Sequence, residues 1–280
     1  MSPALNSIFF IGGVAIVGLW IGALLARMVH ALPLALEAAW QTQLAETYPD
    51  NEGATIPAEP PSSLLAPLPC VSCGVTLPGW RHWPGLSAIA APARCPACSQ
   101  ALPLYPRLIQ WFMAVVLGAS AWRFGASVHL VFAAVFCAVL IALAFIDART
   151  TLLPDILTLP LLWIGLLVNS GEGWVPLPHA VWGAALGYGG LWLVYQAFRL
   201  MTGRDGMGYG DFKLLAALGA WQGIALLPWI LLVASLAGVV VGVSLRVLGR
   251  AHAGQLLPFG PYLSAAGIIA LLGVAHFPGS

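Results

Sequence analysis

Charge is what this sequence lacks. Asp, Glu, Lys and Arg make up 8% of its 280 residues, against roughly a quarter in soluble domains. Hydrophobic residues account for 60%, and the mean hydropathy is +0.90. A water-soluble globular domain is excluded, and the composition is that of an integral membrane protein. The 11 basic residues are scattered along the chain and the formal net charge is +1, so nucleic acid, which needs a basic patch or stripe, is excluded as a partner. Cysteine is equally scarce. Four of the five form two CxxC pairs, a spacing that points to metal binding and not to a disulfide framework. The fifth, Cys137, lies in an apolar run and reads as a small buried hydrophobe. No basic residue precedes the first apolar run, whereas Arg27 and His30 follow it. That is the reverse of a cleaved signal peptide and implies a retained helix with its N-terminus outside.

What the chain has in abundance is apolar runs. Eight helices are expected, at about 8–29, 107–123, 128–146, 156–170, 178–199, 212–226, 228–246 and 257–276, lengths suited to crossing roughly 30 Å of hydrocarbon. The fold class is therefore an all-α polytopic membrane helix bundle carrying a cytoplasmic loop module of four cysteines. Arg27, Arg81, Arg94, Arg107, Arg149, Arg199, Arg204, Lys213, Arg246 and Arg250 fall at one side of this arrangement, and Arg123 falls at the other. Basic residues are retained in the cytoplasm during insertion, so 30–106, 147–155, 200–211 and 247–256 are expected there, with both termini outside. Residues 41–69 are rich in Pro, Ala, Ser and acid and read as a flexible linker.

Cys70 and Cys73 are separated from Cys95 and Cys98 by 21 residues. Four thiolates from two such knuckles close tetrahedrally around structural zinc, which replaces the core that so short a segment cannot build. His82, between Trp80 and Trp83, is a lesser candidate ligand that reads more simply as solvated. Disulfides are disfavoured by the reducing cytoplasm.

Of ten acidic residues, Glu37, Glu46, Asp50, Glu52 and Glu59 lie in the first cytoplasmic loop and Glu172 in an external one. Asp147, Asp155, Asp205 and Asp211 all stand at the cytoplasmic membrane boundary, where carboxylates are candidates for function. Asp155 after Pro154 reads as a helix cap and Asp205 as a turn residue. Asp147 ends the third expected helix and Asp211 opens the sixth, where it could both cap and react. They are 64 positions apart but at the same depth. Two carboxylates about 4 Å apart repel by about 4 kcal/mol at an effective dielectric near 20, so the pair would hold a single proton near neutrality. One member could then deprotonate an attacking water while the other hydrogen-bonds a peptide carbonyl. Gly206, Gly208 and Gly210 have no side chains to keep a substrate strand from approaching Asp211.

Together, IDARTTLLPD (Ile146–Asp155), GMGYGDFKLLAALGAW (Gly206–Trp221), PFGPYL (Pro258–Leu263) and the four cysteines resemble the type IV prepilin peptidases, also called prepilin leader peptidases and N-methyltransferases. The resemblance implies a multi-pass inner-membrane aspartic protease of the GxGD type, with Asp147 and Asp211 as its two aspartates and its active site facing the cytoplasm. It implies prepilin or type II secretion pseudopilin substrates cut between Gly and usually Phe, contact with the pilus or secretion assembly machinery, and membrane lipid around the helices. It also implies methylation of the new N-terminus with S-adenosylmethionine. The methylation half departs from the family pattern. GALLARMVHALP (Gly22–Pro33) stands where the family reads GSFLNVVIHRLP, so Ala26 replaces Asn and Ala31 replaces Arg. YPRLIQW (Tyr105–Trp111) stands for YPLVELL, with Ile109 in place of Glu.

The expected organisation is a first transmembrane helix in 1–33, a linker in 34–69, the zinc-binding module of the methyltransferase half in 70–105, and a membrane aspartic peptidase domain in 106–280. Three other readings compete. A GxGD protease with other clients, such as preflagellins, is disfavoured by the cysteine module. A proton-coupled transporter would place polar residues at mid-membrane. A zinc module that docks assembly proteins would leave the helices as an anchor alone.

Overall fold

The computed structural model describes residues 3–47, 70, 73–75, 94–171, 173–203, 207–249 and 258–274. Among them are eight α-helices: α1 (Pro3–Thr47), α2 (Tyr105–Phe124), α3 (Val128–Thr150), α4 (Asp155–Asn169), α5 (Leu177–Thr202), α6 (Tyr209–Gln222), α7 (Leu227–Val247) and α8 (Gly260–Ile269), the last running on into a π-helical turn at Ala270–Val274. No strand occurs among the described residues; a single bridge pairs Arg94 with Ala101. Proline in the first turn pre-sets the backbone of α5, α7 and α8. At the other end, Gly203 caps α5 in the left-handed conformation, φ 67°.

The helices match the apolar runs except at the first. That run was expected to end near residue 29, but α1 continues through Pro33 to Thr47, 45 residues in all. At 1.5 Å per residue it is roughly 67 Å long. Of the expected linker, 34–47 are thus helical, because Ala, Leu, Glu and Gln after Pro33 all have high helix propensity; 48–69 lie outside the described residues.

Two compact units divide the chain at 122/123, so most of α2 belongs to the first unit and not with the helices that follow it. In the first unit α1 and α2 run antiparallel. A Cβ on Gly18 would stand 2.7 Å from the Ala114 Cα, and one on Gly22 would stand 2.6 Å from the Gln110 Cα. This small-xxx-small pair lets two backbones touch. The Tyr105 hydroxyl lies 3.1 Å from His30 Nδ1.

The second unit is built around α6. Phe212 and every residue from Leu214 to Gln222 are buried, the pattern of a helix packed on all sides. Helix α5 crosses it antiparallel through glycine: a Cβ on Gly187 would stand 2.7 Å from the Leu215 carbonyl oxygen. Helix α4 lies parallel to it. The Trp221 indole sits on Gly165 and donates to the Leu161 carbonyl at 2.7 Å. Buried Asn169 closes the far end of this pair. Its Nδ2 donates to the carbonyls of Ala220 (2.8 Å) and Trp221 (3.1 Å), and its Oδ1 accepts from the N–H groups of Trp174 (2.8 Å) and Val175 (3.1 Å).

Ser7–Thr47, Val128–Thr150 and Ile224–Val247 are long and apolar enough to cross a membrane by length and composition, while Asp155–Asn169 and Gly260–Gly273 are apolar but shorter. Trp182, Leu193, Val194, Leu232 and Leu236 point outward from the bundle, a surface suited to lipid. The protein is a multi-pass membrane protein.

Candidate active site and metal centre

Asp147 lies in the last turn of α3 and is 4% exposed; Asp211 is the third residue of α6 and is 8% exposed. The packing of three helices brings them level. Gly267 of α8 lies against Leu218 of α6 and Leu140 of α3. From each of these residues, seven positions along its own helix leads to Gly260, Asp211 and Asp147 respectively. Seven residues are two turns, so the three arrive together at one end of the unit. Leu153 packs against both Gly210, the neighbour of Asp211, and Gly260, so the two carboxylates flank the same side chain. Gly260, the first residue of α8, donates its backbone N–H to Asp147 Oδ2 at 2.9 Å. The N-terminus of a helix is a natural partner for a carboxylate, since its amides have no partner within the helix. A Cβ at position 260 would stand 2.7 Å from the same oxygen, so any side chain there would press on the carboxylate.

The other sequence candidates separate. Gly208 is the N-cap of α6, and a Cβ there would meet nothing among the described residues nearer than Asp211 Oδ2 at 4.0 Å. Gly210 is covered, since its missing Cβ would stand 2.7 Å from Leu153 Cβ. Gly206, Asp205, Glu172 and His82 lie outside the described residues. Neither boundary aspartate acts as a helix cap. Gly208 takes that position before Asp211, and Pro154 takes it before Asp155, with no side-chain cap bond in either case. Asp155 instead receives both oxygens' hydrogen bonds from Lys213 Nζ, at 2.6 and 2.7 Å. The sequence pointed to Lys213 only as one of the cytoplasmic basic residues, and to Leu153 and Gly260 only as members of the resembling stretches. Lys213, the fifth residue and single basic side chain of α6, was the available signal for a carboxylate partner. For Gly260 the signal was a glycine at the very start of a helix, between Pro258 and Pro261.

The four paired cysteines form a second centre, in the first unit. Cys70 Sγ lies 3.6 Å from Cys98 Sγ and Cys73 Sγ lies 3.8 Å from Cys95 Sγ, and all four sulfurs fall within 4.8 Å of one another. They are free thiols. Four sulfurs about 2.3 Å from a tetrahedral zinc would be about 3.8 Å apart, so the set fits that ion. Each knuckle is shaped by its own backbone. Cys70 N–H donates to Val75 and Gly74 N–H to Cys70; likewise Cys95 N–H donates to Gln100 and Ser99 N–H to Cys95. Gly74 and Ser99, at matching positions, both have positive φ, 69° and 58°.

Residues 134–243, from within α3 to within α7, match the type IV leader peptidase family. The chain is 42% identical to the prepilin leader peptidase/N-methyltransferase of Pseudomonas putida, over 96% of this chain and 92% of that one. The chain belongs to the type IV leader peptidase family. Proteins of the same name are 44% identical in Aeromonas hydrophila (91% of this chain, 87% of the relative) and 38% identical in Neisseria gonorrhoeae (91% and 87%). No solved structure matches. As a member of this family, the protein is a membrane protease, and its matched segment contains Asp147 and Asp211.

Proposed function

We propose that this peptidase removes the leader of type IV prepilins or type II secretion pseudopilins, cutting after a glycine through the Asp147–Asp211 pair. The observation that carries the reading is the convergence of two buried carboxylates from helices 64 positions apart in sequence. The ionised member takes a proton from water as its oxygen attacks the peptide carbonyl, and the protonated member hydrogen-bonds the carbonyl oxygen and transfers its proton there. When the tetrahedral species collapses, the C–N bond breaks and the leaving amine takes a proton from the pair. The site faces the cytoplasm at the inner membrane, consistent with the distribution of arginine, and the substrate strand approaches over Gly208.

Zinc, held by Cys70, Cys73, Cys95 and Cys98, would be structural, since four sulfurs leave no open position for chemistry. The relatives' names also include N-methyltransferase, a reaction that uses S-adenosylmethionine. Where the resemblance leads one to expect Asn, Arg and Glu, this chain buries Ala26, Ala31 and Ile109. None of these side chains can hydrogen-bond a nucleoside or an amino-acid group, so these positions do not fit that cofactor. The test is processing of a prepilin in membranes, with mass spectrometry of the new N-terminus. Cleavage should depend on both aspartates and expose the residue after a glycine. A cut elsewhere would refute the substrate assignment, and the mass of the product shows whether a methyl group has been added.

A further inference from the structure

A short connection, Thr151–Pro154, leads from α3 to Asp155, the first residue of α4, and it touches both sides of the site. Thr151, which ends α3, is β-branched and yet has φ 53° and ψ 30°. That conformation is held only where the surroundings impose it. Its N–H donates to the carbonyl of Asp147 itself, at 2.8 Å. Two residues on, Leu153 fills the notch of Gly210, the neighbour of Asp211. The same side chain reaches Gly260, the donor to Asp147, where its Cδ2 would stand 3.2 Å from a Cβ. Asp155 then grips Lys213, two residues past Asp211, through both oxygens.

We propose that Thr151–Asp155 is a strap that sets the spacing of Asp147 and Asp211, with Leu153 as the spacer and the Asp155–Lys213 pair as the anchor; the proposal rests on the two aspartates being the reacting pair. The need for such a device follows from leverage. The aromatic contact joining α3 to α6, Phe136 on Trp221 with ring centroids 4.9 Å apart, lies eleven and ten residues from the aspartates. At roughly 15 Å along each helix, a slight tilt about that contact becomes a large displacement at the carboxylates. The anchor is at the surface, with side-chain exposures of 28% and 55%, where ion pairs contribute little to folding. Its loss should therefore alter activity without unfolding the protein.

The experiment uses the full chain in membranes with a purified prepilin substrate, and measures kcat, KM and abundance. Asp155→Ala, Lys213→Ala and Leu153→Ala should each lower kcat by about 10- to 100-fold, the scale of an ångström-sized misplacement, with KM within about twofold of the parent. The reversed pair Asp155→Lys/Lys213→Asp should recover at least tenfold over either single variant. Unchanged kcat in the single variants, or a loss confined to KM, would overturn the strap, and so would a reversed pair no better than its parents. If the reversed pair does not accumulate, Lys213→Arg and Lys213→Met decide, the first keeping activity and the second losing it; equal activity in both would overturn the proposal. Full activity of Asp147→Asn is a separate result that removes the dyad instead.

Discussion

The cysteine centre and the aspartate pair both gather groups that are far apart in sequence, but they are held in different ways. Each CxxC knuckle is shaped by hydrogen bonds spanning no more than five residues, such as Cys70 N–H to the Val75 carbonyl. Only the meeting of the two knuckles is long-range, and it leaves four sulfurs within 4.8 Å of one another, a set that could hold a metal ion. The aspartates have no such local scaffold. Asp147 depends on an N–H 113 positions away, and its height relative to Asp211 depends on how α3, α6 and α8 pack two turns below. A site organised by local turns shows in residue spacing, whereas one organised by helix packing shows only in coordinates.

The comparison breaks first if the carboxylates are dispensable. Asp147→Asn and Asp211→Asn should each abolish prepilin processing in membranes, with abundance near that of the parent, read by immunoblot of leader and mature forms. Next comes the long-range support. Gly260→Ala pushes a methyl group to within 2.7 Å of Asp147 Oδ2 and should lower kcat by about 100-fold. Parent-like activity would show that Asp147 is held by its own helix. Further from the chemistry, Asn169→Ala leaves the carbonyls of Ala220 and Trp221 and the N–H groups of Trp174 and Val175 without their side-chain partner. About 2–4 kcal/mol of stability should be lost, seen as a lower midpoint in a thermal scan, with kcat per folded molecule unchanged. The smallest expected effect on cleavage comes from Cys70→Ser. It should reduce bound metal from about one ion per chain and expose the module to protease, yet change peptide cleavage less than tenfold. Metal-free protein with an equally protected module would show that the knuckles stand without zinc.

Much of this was legible before any coordinates. The helices were visible because a spanning segment must be apolar over a fixed length, and the cysteine set because its spacing has few other uses. Asp147 and Asp211 stood out because charge at a membrane boundary is rare in so apolar a chain. Three features were not legible. The continuation of α1 past Pro33 was hidden because a proline removes one hydrogen bond without forbidding the helix that follows. Asp155 looked like a cap because Asp is among the residues preferred at a helix start. Its partner Lys213 lies 58 positions away on a parallel helix, and no periodicity links the two. Gly210 looked open for a substrate, but Leu153, from the preceding connection, occupies the space.

Composition, run length and cysteine spacing determined by themselves that this chain is a helical membrane protein with a metal-type cluster and a few carboxylates at one boundary, because each depends on a residue's own transfer energy or on chain closure over a few residues. Which carboxylates meet, which glycine is a contact surface and which is an opening, and what Asp155 holds were decided only by tertiary structure. Those relations are set by how far one helix slides or tilts against another, a displacement of an ångström or two governed by side-chain interlocking across the whole unit, and no local stretch of residues encodes it.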